Sequence, residues 1–237
     1  MEQPIAWIAG GSRGIGLACA ARLGREGYRI AISSRSASHS ESAASDLREQ
    51  GSFAIAVPCD VTREESVRHA YSTIREFFGA VPDVLVNSAG ISPWSTFSET
   101  SILEFDNVIA TNTMGMFLTS RAVLGEMYAR GSGAIVQMLS VASLKGFRNG
   151  AAYVASKHAS LGFTNALREE ARAHGIRVIS IFPGATETEL WDEEHRAKFH
   201  DRMMQPEDIA EAVVAALRLP TRALIEEIVL RPIGGDL

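Results

Sequence analysis

Short apolar runs rich in β-branched residues alternate along the chain with longer stretches of helical period. Residues 5–9 lead into a helical segment from about Gly14, and 29–33 into one that ends near Gln50. The order repeats: 54–58 with a charged helix from Arg63, 84–86 with a long helix over 101–130, and 134–139 with a helix over 151–174. It closes with 177–182, a helix from Pro206 and a last strand over 225–230. A strand that follows a crossover helix lies parallel to its predecessor, so this rhythm predicts an α/β fold with a parallel sheet. Runs such as Val178-Ile179-Ser180-Ile181-Phe182 are largely apolar rather than alternating, as expected for strands covered on both faces.

No Pro/Ser/Gly-rich hinge, internal repeat or composition shift interrupts the 237 residues. One domain over 1–237 is therefore expected, with 188–205 as a lid because it is the one long connection without a clear strand. Lys and Arg number 23 against 28 Asp and Glu, a net charge of −5, and no basic block offers a footprint for nucleic acid or an anionic membrane. The apolar runs stop well short of the roughly 20 residues that span a bilayer, and residues 1–8 carry no signal-peptide pattern, so a cytoplasmic protein is expected. Cys19 and Cys59 form no CxxC pair and the six histidines form no HExxH motif, which predicts buried free thiols and no metal.

After the first strand the chain reads Ala9-Gly10-Gly11-Ser12-Arg13-Gly14-Ile15-Gly16. Glycines where a strand turns into a helix let backbone approach a pyrophosphate, and the unpaired N–H groups and positive helix end hold it. This context turns the α/β expectation into a Rossmann-like, doubly wound parallel sheet of about seven strands with helices on both faces. The second strand ends in Ser33-Ser34-Arg35, without the carboxylate that would bind a ribose 2′-hydroxyl. Ser34 and Arg35, with Arg13 from the glycine loop, suit a 2′-phosphate, so NADP(H) is expected over NAD(H).

Tyr153 and Lys157 stand at i and i+4 near the start of a helix, on one face, where a Lys ammonium would draw the phenol pKa down. Together with the glycine loop and the segments that follow, this pair resembles the short-chain dehydrogenase/reductase family in its compact single-domain branch, over nearly the whole chain. Asp60-Val61 resembles the family's adenine contact, and Asn87-Ser88-Ala89-Gly90 its Asn-Asn-Ala-Gly segment. Asn112 falls at the asparagine in the middle of the fourth helix, and Ser140, thirteen positions before Tyr153, at the catalytic serine. Pro183, Gly184, Thr186 and Thr188 resemble the segment that holds the nicotinamide carboxamide. Ala9 and Ser88 depart from the family pattern, and the ending over 226–237 departs from that of many tetrameric members.

The resemblance implies hydride transfer between NADP(H) and a carbonyl or secondary alcohol. Tyr153 would act as acid, Ser140 would polarise the carbonyl, Lys157 would bind the nicotinamide ribose and lower the Tyr153 pKa, and Asn112 would hold a relay water. Trp94, Phe147 and Trp191, with Leu144 and Leu190, are expected to wall the substrate with Ser140 and Tyr153. Homodimers or homotetramers are implied, built on the helices over 101–130 and 151–174. A 3-oxoacyl-carrier-protein reductase is the second reading; it would need a basic patch near the pocket, for which Arg130, Arg168 and Arg172 are candidates. A non-catalytic NADP(H)-binding regulator is the third, and the intact Asn112, Ser140, Tyr153 and Lys157 weigh against it.

Overall fold

The computed structural model describes residues 3–220 and 222–236; Met1 and Leu237, the ends of the expected domain, lie outside it with Glu2 and Thr221. Its elements in chain order are β1 (Ile5–Ala9), α1 (Gly14–Arg25), β2 (Arg29–Ser33), α2 (Ala37–Glu49), β3 (Ala54–Ala56), α3 (Glu64–Phe78) and β4 (Val84–Asn87). These are followed by α4 (Ile102–Ile109), α5 (Gly115–Arg130), β5 (Gly133–Met138), α6 (Ala151–Arg172), β6 (Ile176–Pro183), α7 (Glu193–Phe199), α8 (Pro206–Leu217) and β7 (Glu227–Leu230). The seven strands pair in the order β3-β2-β1-β4-β5-β6-β7, all parallel. The order reverses between β1 and β4, and in such sheets the crevice above the strand ends at that point is where ligands bind.

The apolar runs supply both faces because successive side chains point to opposite sides of a strand. Ala6 and Ile8 enter one buried cluster with residues of α1, α2 and α8. Ile5, Trp7 and Ala9 enter the other with residues of α3 and α5. Trp7 is fully buried; its indole N–H donates to Ser33 Oγ at 2.9 Å and its ring lies 6.3 Å from that of Tyr71.

Two elements differ from the sequence expectation. The long helix over 101–130 is interrupted by a π-helical turn at Ala110–Met114, which separates α4 from α5. A single π turn has no residue signature of its own, so the sequence does not announce it. The segment over 188–205 is not featureless: Asp192 caps α7, accepting the His195 N–H at 2.8 Å, and a 3₁₀ turn follows at His200–Arg202. α7 buries none of its residues and so carries no apolar stripe to read.

Gly115 starts α5 hard against the loop after β3, where an added Cβ would stand 2.7 Å from Val61 Cγ2. We expect Gly115→Ala to cost about 1–3 kcal/mol by overpacking. A lower urea midpoint at unchanged slope would show it.

Candidate active site

The glycine loop is drawn onto the edge of the sheet by two bonds, Gly10 N–H and Gly11 N–H to Ser33 O at 2.8 and 3.1 Å. Gly10 adopts φ +85° with no room for a Cβ beside the backbone of Ala89, and a Cβ on Gly16 would strike the Gly10 carbonyl. The loop thus packs backbone to backbone on Ser88-Ala89, the exit of β4. α1 has no capping side chain on its first turn and no acidic residue in it, whereas Ser36, Ser101 and Asp192 cap α2, α4 and α7. Its leading N–H groups, from Gly14 through Gly16, are therefore left for an external acceptor, which fits a phosphate. Ser12 is half-buried beside them, and Arg13 and Arg35 are exposed. Ser34 turns inward, donating to Ser36 O at 3.0 Å and sharing a hydrogen bond with Ser40 Oγ at 2.7 Å.

Several expected cofactor contacts have structural duties. Asp60 Oδ1 accepts Thr62 N–H at 3.0 Å and its hydroxyl at 2.7 Å, and Val61 is buried. The Asn87 side chain is engaged inside the fold. Its amide donates to Ser120 Oγ at 3.0 Å and Gln137 Oε1 at 2.9 Å and accepts Thr119 Oγ1–H at 2.6 Å. All four residues are buried, and Asn87 fastens β4 to β5 and α5. That leaves Ala89 and Gly90 as the part of the segment that faces the crevice, Ala89 beside Gly10 and Gly90 beside Asn112.

Ser140 leaves β5 and accepts the Ala142 N–H on Oγ at 3.1 Å. Tyr153 and Lys157, one turn apart on α6, are both buried. Lys157 donates to Met138 O at 2.8 Å and lies 5.7 Å from the centre of the Tyr153 ring. The expected fall of the Tyr153 pKa through Lys157 is not what this enclosure produces. Burial raises the phenol and the Ser140 hydroxyl pulls it part of the way back. The same burial lowers Lys157 to about 8.

The Asn112 side chain is held by neighbouring elements. Its Oδ1 accepts Ile91 N–H at 2.9 Å, and its amide donates to Ile91 O at 2.9 Å and Ser156 Oγ at 3.0 Å. Ser156 donates in turn to Tyr153 O at 2.7 Å. With no exposed surface, the side chain clasps the loop after β4 to the helix that carries Tyr153.

The residues expected to wall the substrate converge from three loops. Trp94 lies 6.0 Å from the Tyr153 ring, 6.4 Å from Phe147 at a right angle, and 6.4 Å from Trp191 at 17°. Leu144 and Leu190 are partly exposed near them. Below the lid, Gly184 N–H donates to Leu230 O at 2.8 Å and buried Thr186 donates to Gly184 O at 3.1 Å, which leaves Thr186 in the lid's root. Pro183 ends β6, and the Thr188 methyl stands 3.2 Å from where a Gly14 Cβ would be, above the glycine loop. A cavity of about 490 Å³ opens there, bounded by Arg13, Gly90, Pro93, Glu104, Asn107 and Glu189. Glu104, Asn107 and Glu189 were not expected: they sit in no recognisable spacing, and only the fold draws α4 and the lid together.

The basic residues weighed for a carrier-protein patch lie elsewhere. Arg130 bonds to Val81 O and Pro82 O, at the entry to β4, and Arg172 pairs with Glu226 at the entry to β7. Arg168 is buried and donates to Val178 O and Ser180 Oγ. Because the strands are parallel, their entries and exits occupy opposite edges, and the site stands at the exits. Among the described residues no helix is long and apolar enough to cross a membrane, and no group of three or more His, Cys, Asp or Glu could hold a metal ion. Cys19 and Cys59 are buried free thiols.

A Lys held below its unfolded pKa binds fewer protons in the folded state, so its contribution to stability grows as pH rises from about 8 toward 10.5. Cys19 and Cys59, raised by burial, work in the opposite direction there. The difference between wild type and Lys157→Met isolates the lysine. Stability of wild type relative to this variant should climb across that window in a pH series of urea titrations; a flat difference would refute the buried-lysine assignment.

The short chain dehydrogenase family profile matches residues 4–198. A sepiapterin reductase of Chlorobaculum tepidum is 34% identical over 240 residues, 97% of this chain and 96% of that protein. A human 3-oxoacyl-[acyl-carrier-protein] reductase is 34% identical over 218 residues, 90% of each chain. In structure, an alcohol dehydrogenase from the archaeon Thermococcus sibiricus, complexed with 5-hydroxy-NADP, superposes with a TM-score of 0.90 at 31% identity, covering 100% of this chain and 99% of that one. With its Rossmann-like sheet, uncapped glycine loop and Ser140, Tyr153 and Lys157 gathered at the strand exits, the chain belongs to the short-chain dehydrogenase family of oxidoreductases.

Proposed function

We propose that the chain is an NADPH-dependent reductase of a small-molecule carbonyl, working in reverse as an alcohol dehydrogenase. The observation that carries this reading is the enclosed Tyr153 phenol, facing the Ser140 hydroxyl beside Lys157 and within reach of the crevice above β1 and β4. When bound, the nicotinamide supplies or accepts the hydride. Ser140 donates a hydrogen bond to the substrate oxygen, and Tyr153 O–H gives its proton to that oxygen as negative charge develops there. A phenol kept protonated by burial is the form an acid in the reducing direction needs. Lys157 offers its donors to the ribose hydroxyls and to the phenol, and Asn112 acts as a positioning residue through Ile91 and Ser156.

The leading turn of α1, from Gly14 to Gly16, receives the pyrophosphate, and Pro183, Gly184 and Thr188 border the nicotinamide. Arg13 and Arg35 neutralise a 2′-phosphate, with Ser34 next to Arg35 in the chain; the Thermococcus relative's complex with an NADP derivative supports that choice. One domain carries these roles, with 188–205 as its lid. A homodimer or homotetramer is supported by the exposed Phe105, Met114 and Phe117 on α4, the π turn and α5. The carrier-protein reading ranks second despite the human relative, because Arg130 and Arg172 lie at the far edge of the sheet and Arg168 is buried against β6.

NADPH and NADH oxidation over a panel of ketones, aldehydes and 3-oxoacyl thioesters tests the reading. Turnover should favour NADPH, and Tyr153→Phe should lower kcat/KM by about 10²–10⁴-fold with cofactor binding retained. Arg35→Ala should raise the KM for NADPH while leaving that for NADH nearly unchanged. A wild-type preference for NADH would refute the roles of Arg13, Ser34 and Arg35.

A further inference from the structure

The aromatic side chains around Tyr153 form an ordered array rather than a generic apolar wall. Trp94 is the hub: it stands at 6.0 Å from the Tyr153 ring, nearly parallel to Trp191 and perpendicular to Phe147. These separations and angles are the offset-stacked and edge-to-face geometries that aromatic quadrupoles favour. The three rings come from separate connections, those after β4, after β5 and after β6, so no single helix or strand face accounts for them. Trp94 nonetheless keeps 45% of its surface exposed at the mouth of the site, although Gly150 behind it leaves it firmly backed. The stacking continues outward through Trp191 to His195 at 6.5 Å and on to Phe199 at 6.2 Å.

We infer that the substrate class of this site is a flat aromatic carbonyl compound, with its ring system stacked on Trp94 beside Trp191 and its carbonyl on Ser140 and Tyr153. The inference rests on the reductase reading and deepens it. The Trp94–Trp191 separation of 6.4 Å is below the two ring contacts of about 3.5 Å each that an intercalated ring would need, so the ligand ring takes the open part of Trp94 rather than a slot between the pair. The rim carries both signs: Glu104, Glu189 and Arg13 bound the adjoining cavity, Asp192-Glu193-Glu194 follow Trp191, and Lys145 lies 4.9 Å from the centre of the Phe147 ring.

Acetonaphthone and acetyldecalin present the same carbonyl on fused two-ring skeletons of similar outline, one flat and aromatic and one saturated. The saturated ketone is the more hydrophobic, so transfer from water alone ranks it first and any aromatic preference reports ring stacking. Titration of each into protein saturated with oxidised NADP, which cannot reduce them, reads binding by calorimetry without turnover. Acetonaphthone should bind about tenfold more tightly than acetyldecalin. Trp94→Leu and Trp191→Leu should each bring that ratio toward parity, while Trp94→Phe retains most of it. Equal affinities in wild type, or an aromatic preference that survives both leucine variants, would overturn the inference. Should Trp94→Leu fail to fold, Trp191→Leu decides, since it lies on the lid and outside the sheet. Reduction of both ketones by NADPH without aromatic preference refutes the aromatic site alone. Tight aromatic binding with no reduction of any carbonyl refutes the reductase reading and leaves the aromatic site standing.

Discussion

Parallel pairing of β1, β4, β5 and β6 is the constraint on which the site depends. It brings the four strand exits to one edge, and from those exits come the glycine loop, the Ala89-Gly90 turn, Ser140 and the Pro183–Thr188 segment. α6 runs back against the sheet, so its first turns lie at the same edge and deliver Tyr153 and Lys157 there. The central register is held by more than backbone ladders. Asn87 and Gln137, paired across β4 and β5, share Ser120 of α5 in a buried network whose members satisfy one another. A polar network of this kind is costly when broken and directional when whole, which makes it a better register lock than additional apolar side chains.

The catalytic edge is braced by a second set of polar contacts. The π turn between α4 and α5 turns Asn112 toward Ile91 and Ser156, and Thr113 Oγ1 donates to Ser156 O at 2.9 Å. α4, the loop after β4 and α6 are thus tied at a point one turn from Tyr153. The consequence is electrostatic as well as mechanical: a phenol and an ammonium enclosed together share a low dielectric in which neither charge is favoured. The reactive pair is therefore set by burial first and by its partners second, the reverse of what the i, i+4 spacing suggests by itself.

How much of this was legible in the chain follows from the range of each interaction. Strands such as Ile5–Ala9 and Arg29–Ser33 were readable to the residue because a doubly covered parallel strand writes an uninterrupted apolar run, and the glycine loop because its conformation excludes side chains. Ser140, Tyr153 and Lys157 were readable through family resemblance in chain order, and Trp94, Phe147 and Trp191 as aromatic residues in the right connections. The π turn, α7, and the cavity residues Glu104, Asn107 and Glu189 were not, since no periodicity or local spacing encodes them.

The sequence by itself determined the alternation of strands and helices, and with it the parallel sheet, the position of the glycine-rich turn and the identity of the candidate site residues. These are properties of one segment or of chain order. Only the tertiary structure decided that Asn87 and Asn112 spend their amides on neighbouring elements, that Arg130 and Arg172 lie at the opposite edge from the site with Arg168 buried against β6, and that burial raises the Tyr153 phenol and lowers Lys157. Hydrogen-bond partners, dielectric surroundings and the meeting of three loops over one phenol depend on distances between residues far apart in the chain, which side-chain identity alone does not specify.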